Sequence, residues 1–145
     1  MKPTIYGIGI RDLPSSCNGK PVQSYVVWRN TLRRCYDENY YIKYPQYFGV
    51  KCHPDWHLYS CFKSWFDKQT ENIDYYRYKY QVDKDLLGNG LMYSAENCCM
   101  LPKRLNVLLA GKHNHIIISE AKLMLDRGLI DKLILSKIEE RLLCQ

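Results

Sequence analysis

Residues 82–106 read VDKDLLGNGLMYSAENCCMLPKRLN, and the order of strand, turn and helix signals in and around that stretch sets the expected architecture. The run YYRYKYQVDKDL at 75–86 alternates, so Tyr76, Tyr78, Tyr80 and Val82 are expected on one face of a strand. The GNG at 88–90 is a turn signal. The apolar piece CCML at 98–101 reads as a second, short strand. Pro102 then fits the first position of a helix carrying Leu105, Leu108 and Leu109. Strand, turn, short strand, helix is a ββα unit. The expected class is therefore α+β, with the ββα core at 75–112, an aromatic-rich helical segment at 1–74 and a helical tail at 113–145.

The polar residues of that unit point to metal-assisted phosphodiester chemistry. Asp83-Lys84-Asp85 stand at the end of the first strand and Asn97 just before the second. Asn106 follows nine residues after Asn97, one turn into the helix. Such chemistry needs a base for water, a divalent ion against the scissile phosphate, and a residue that fixes the loop between the strands. A hard ion such as magnesium takes oxygen donors, which Asp carboxylates and Asn amides supply. The ββα order brings Asp83 or Asp85 together with Asn106 at one ion. Without that order, DKD reads as a solvated charge cluster, and the two asparagines as a turn residue and a helix-surface residue.

Upstream, SYVVWRNTLRRCY at 24–36 reads as a helix with Val27, Thr31, Leu32 and Cys35 on one face and Arg29, Arg33 and Arg34 towards the other. Residues 1–24 carry turn formers and are expected to be irregular. The stretch NYYIKYPQYFGVKC is aromatic and loop-like, broken by Pro45 and Gly49. Pro54 opens a helix over about 54–68, anchored by Trp56, Phe62 and Trp65. Beyond Gly111, Ser119 is placed to cap a helix that Gly128 ends. Residues 129–143 form an amphipathic helix that either packs on the rest of the chain or joins two copies as a homodimer.

Composition narrows the partners. The chain has 145 residues, a net charge of +6 and 13 tyrosines, a balance that favours polyanions through phosphate contacts. Between 75 and 115 six Lys/Arg face three Asp/Glu. The expected phosphate contacts are Arg33, Arg34, Arg77, Lys79, Lys103, Arg104 and Lys112, with double-stranded DNA as partner. No 18-residue apolar run exists, so no membrane partner is expected, and the N-terminus lacks a signal-peptide pattern, which places the protein in a cytoplasm. Seven cysteines without a CxxC pair read as reduced thiols. A zinc set of Cys52, His53, His57 and Cys61 is the weaker metal reading, with Zn2+ not expected. His113 and His115 read as exposed loop histidines that could instead touch phosphate or supply a base.

The 82–106 string is similar to the HNH segment of homing-endonuclease-like proteins of tailed phages, whose pattern runs approximately DKD, GN, YSPENC, an apolar strand, then a helix with Asn. Upstream, W-x3-L-x-R-C-Y (Trp28, Leu32, Arg34, Cys35, Tyr36), YPxY (Tyr44 to Tyr47) and W-x5-F-x2-W (Trp56, Phe62, Trp65) also resemble that family. The resemblance covers about residues 6–110. It implies a ββα-metal core, a DNA endonuclease or nickase using Mg2+ or another divalent ion, metal ligands Asp83 and Asn106, a loop organiser in Asn97, and the cytoplasm of an infected bacterial host. Two departures stand out. The usual base histidine is replaced by Lys84 or by Asp85, depending on alignment, and an ordinary Asp with a pKa near ~4 is a weaker base at neutral pH. Longer relatives also carry a small DNA-binding module after the helix, whereas here Leu109 leads through GKHNH to the helical tail, so DNA reading is expected to fall to the N-terminal portion. The rival readings are a non-catalytic relative that binds DNA or a host protein, for instance as an anti-defence factor, and a zinc-bound interaction module.

Overall fold

Asn18 and Gly19, with φ of 52° and 76°, turn the chain between β1 (Ser16–Cys17) and β2 (Lys20–Pro21), an antiparallel pair inside the segment expected to be irregular. The computed structural model describes residues 2–111 and 114–143, so Lys112 and His113 lie outside the described residues. Helix α1 (Gln23–Tyr36) buries Ser24, Trp28, Thr31, Leu32 and Cys35, one stripe at helical spacing, while Val27 is only partly buried. The Trp28 indole N–H donates to the Trp56 carbonyl at 2.7 Å, and the Ser24 and Tyr59 hydroxyls meet at 2.7 Å.

The 37–52 stretch is more regular than its Pro and Gly suggest. Asp37 caps a short helix, α2 (Glu38–Lys43), by accepting the Asn39 N–H at 3.2 Å. A single 3-10 turn over Pro45–Tyr47 follows, then β3 (Lys51–Cys52). Pro54 opens a 3-10 turn rather than the helix itself, and α3 (Tyr59–Thr70) starts after it, burying Tyr59, Phe62 and Phe66.

The strand expected over 75–86 is much shorter. Only β4 (Gln81–Asp83) is extended. Tyr75 to Lys79 instead form turns: the Asp74 carboxylate accepts the Arg77 N–H, the Tyr80 N–H returns to Tyr75, and Lys79 has a φ of 51°. Tyr76 is 71% exposed while Tyr80 is buried, so the alternating tyrosines do not share a face. A parallel partner for β3 comes from β5 (Met92–Tyr93), inside the loop that follows β4.

The second strand, β6 (Cys99–Leu101), pairs antiparallel with β4 in the register Gln81–Leu101, Val82–Met100, Asp83–Cys99. Both faces of β6 are buried, and its period of two divides the core. Cys98 and Met100 join a cluster with Trp28, Trp56 and Phe62; Cys99 and Leu101 join a second cluster with Leu105, Ile117 and Ile138. Helix α4 (Lys103–Ala110) follows directly, completing strand, strand, helix.

Helix α5 (Asn114–Asp126) begins before Ser119, which sits inside it with its hydroxyl bonded to the Ile116 carbonyl. Serine caps only when its preceding backbone leaves the helix, and here it does not. Gly128 ends α5 as expected, with the Leu129 N–H returning to Met124 and the Gly128 N–H to Leu125. Asp131 then caps α6 (Lys132–Leu143) through the Ile134 N–H at 2.9 Å. Ile134 and Ile138 of α6 are buried in the second cluster, so this helix packs on its own chain. The architecture is α+β, with six helices and three two-stranded sheets among the described residues. No helix among them is long and apolar enough to cross a membrane.

Candidate functional site

Where β4 ends, the chain must turn while its last side chain is buried. Asp83 solves this locally: its Oδ2 accepts the N–H of Asp85 at 3.1 Å and of Leu86 at 2.8 Å, an Asx-type turn. Only 7% of Asp83 is exposed, and burial pushes its carboxyl above the usual range, against the opposing pull of the Leu86 N–H. From α4, the Asn106 amide N–H donates to Gln81 Oε1 at 2.8 Å, which ties the helix to the strand. Asp83, Lys84, Asp85 and Asn106 line one cleft of about 420 Å³.

That cleft is walled from the other side by the N-terminal half. Arg34 of α1 reaches it, together with Tyr47 and Tyr93. Burial acts to lower the Arg34 guanidinium pKa, but its neighbours Tyr93, Tyr40 and Tyr47 raise it above the ordinary value. The Lys84 side chain is only 13% exposed; its ammonium sits 5.9 Å from the Tyr47 ring centre, 5.8 Å from that of Tyr93, and 2.9 Å from Asp85 Oδ1. The Asp85 carboxylate is half exposed and presses on Gly90, where an added Cβ would lie 2.6 Å from Oδ1; with a φ of 78°, that position suits glycine alone.

Asn97 binds the long β4–β6 loop to itself. Its amide N–H donates to the Met92 carbonyl at 3.3 Å and its backbone N–H donates to the Ser94 hydroxyl at 3.1 Å. Gly88 packs so closely on it that a Cβ there would fall 2.9 Å from the Asn97 Cβ and Cγ. The GNG run is thus a close-packing signal as much as a turn signal.

The expected phosphate contacts divide into groups. Arg77, Lys79, Lys103 and Arg104 line one shallow groove of about 440 Å³, which meets the central cleft at Val107. Arg104 is already engaged, bidentate, with Glu120 at 3.0 and 3.1 Å. Arg33 lies elsewhere, beside Asp37 and over the Tyr40 ring. Among the six of these that the structure describes, Arg34 alone enters the central cleft. Gln81, Tyr47 and Tyr93 also line the cleft and are not expected there from sequence; Tyr47 falls in YPxY and Tyr93 in YSAENC, while Gln81 carries no motif signal.

The zinc set does not come together. Cys52 is buried in the core, Cys61 is exposed, and His57 Nε2 is 3.1 Å from the Tyr36 hydroxyl. Among the described residues no group of three or more His, Cys, Asp and Glu is placed to hold a metal ion. Burial pushes the Cys35 and Cys98 thiols up to about 12 and raises Cys52 and Cys99 as well, so these four behave as inert core residues. His115 is exposed at the start of α5. No family model, curated protein or solved structure matches the chain.

Proposed function

We propose that this chain is a metal-dependent DNA endonuclease or nickase of the HNH-like kind that residues 82–106 resemble. One observation carries the reading: Asp83 from a strand end and Asn106 from the following helix line the same cleft, with Lys84 and Arg34 in its walls. The donor set fits a hard divalent ion. The hydrogen bonds described above use Oδ2 of Asp83 and Nδ2 of Asn106, and the remaining oxygen of each is the hard donor that magnesium takes. When bound, such an ion would neutralise the phosphodiester and make water a better nucleophile. The protein supplies the rest. Arg34 and Lys84 hold the phosphate by charge, and Asn97 keeps the loop in shape. Lys84 serves as a cation, so the base role falls to Asp85, which takes the proton of the water whose oxygen attacks phosphorus as the bond to the leaving oxygen breaks.

A second reading has its own support. Asp85 is ion-paired with Lys84 and half of the Asp83 carboxylate is committed to backbone N–H groups. Both favour a relative that keeps the scaffold to bind DNA, or a host protein, without cutting. Incubation of supercoiled plasmid with Mg2+ and with EDTA separates the two: a nicked product in Mg2+ alone supports the nuclease, and unchanged plasmid with DNA binding intact supports the second.

A further inference from the structure

Residues 40–48 carry five aromatic rings, yet neither α2 nor the 3-10 turn after it contains a buried residue. Phe48 is 77% exposed. The rings are not scattered: Tyr40 lies 4.8 Å from Tyr44 and 5.6 Å from Tyr47 between centroids, and Phe48 meets Tyr41 edge-on at 5.9 Å. Three of them carry a cation. Arg33 is 5.1 Å from the Tyr40 ring, Lys43 is 5.5 Å from Tyr44, and Lys84 is 5.9 Å from Tyr47. The acidic residues nearby are Asp37, which pairs with Arg33 at 3.5 Å, Asp85, which pairs with Lys84 at 2.9 Å, and the exposed Glu38. Tyr47 also lines the cleft that holds Asp83, so the aromatic surface runs into it.

Protein interface cores are depleted of lysine, and rings that meet Lys43 and Lys84 as well as Arg33 are a poor match to one. A polyanion that also offers flat π-faces matches both features. In a duplex those faces are hidden between stacked pairs; an unpaired strand exposes them. We infer that the 40–48 surface stacks the bases of single-stranded or locally opened DNA and leads its backbone into the adjoining cleft. The inference rests on reading that cleft as a nucleic-acid site.

Fluorescence anisotropy tests it in EDTA, where cleavage plays no part, with labelled oligothymidylate of about 20 nucleotides and a duplex of equal length. The expected result is tighter binding of the single strand, with Phe48→Ala and Tyr44→Ala each weakening it about tenfold. The salt dependence should stay as in the wild type, because stacking releases no counterions. Phe48→Trp should restore binding; Phe48 is so exposed that its truncation leaves the fold intact, which circular dichroism checks. Single-strand affinity unchanged in both alanine variants, equal or tighter binding of the duplex, or no binding of either oligonucleotide would overturn the inference. Failure of plasmid nicking with these effects present leaves the stacking surface standing and removes only the nuclease.

Discussion

Asp83 meets two demands that pull against each other. As a turn-former it is well placed, since its carboxylate accepts hydrogen bonds from two backbone N–H groups. As a buried charge it is costly, and burial raises its pKa in the folded state. A raised carboxylate pKa means that the fold favours the protonated form. The stability this contributes is complete below the ordinary Asp pKa and is lost as pH rises through the raised folded value. Asp83→Asn keeps an acceptor for the turn and carries no charge. Thermal unfolding is therefore expected to show this variant gaining on the wild type as pH rises from about 3 to about 7, while nicking is lost. A variant that loses stability equally at both ends would show that the carboxylate acts only as a turn-former.

Between elements, β6 carries the structural load. Its three residues face two cores in alternation, so Leu101, fully buried in the second cluster, sits behind a strand whose Met100 belongs to the first. Leu101→Ala is expected to cost about 2–5 kcal/mol in urea unfolding. Tryptophan fluorescence, reporting on Trp28, Trp56 and Trp65 beside the first cluster, should move with helical circular dichroism in one transition. Two separate transitions would show that the clusters fold apart. The sequence makes β6 and α4 legible because CCML is a short apolar run and Pro102 marks a helix start. It hides the rest of the sheet for a physical reason. The alternation in YYRYKY is satisfied by turns held through Asp74 and by rings packing on neighbours, and two-residue strands such as β3 and β5 are too short to show a period. Asp83 and Asn106 are legible as cleft residues through their spacing around the ββα unit. Tyr93 and Gln81 are not, since their place depends on pairings far apart in the chain.

Across the whole molecule, the N-terminal half is a wall of the candidate site, because Arg34 and Tyr47 complete the cleft that β4 and α4 open. The basic groove of Arg77, Lys79, Lys103 and Arg104 continues from it past Val107. With Arg104 held by Glu120, the free charge of that groove rests chiefly on the other three. Lys79→Ala and Lys103→Ala are each expected to reduce the slope of log affinity for duplex DNA against log salt by about 1, with little change in stability. An unchanged slope in both would remove the groove from the DNA path. Whether Asp83 and Asn106 act together in metal-dependent cleavage is read from plasmid nicking in Mg2+ by the wild type, Asp83→Ala and Asn106→Ala. Nicked circles are expected from the wild type, with a loss of roughly 10²-fold or more in each variant and plasmid binding retained. Equal nicking by all three proteins, or none by the wild type with any divalent ion while it still binds plasmid, would rule out that joint role.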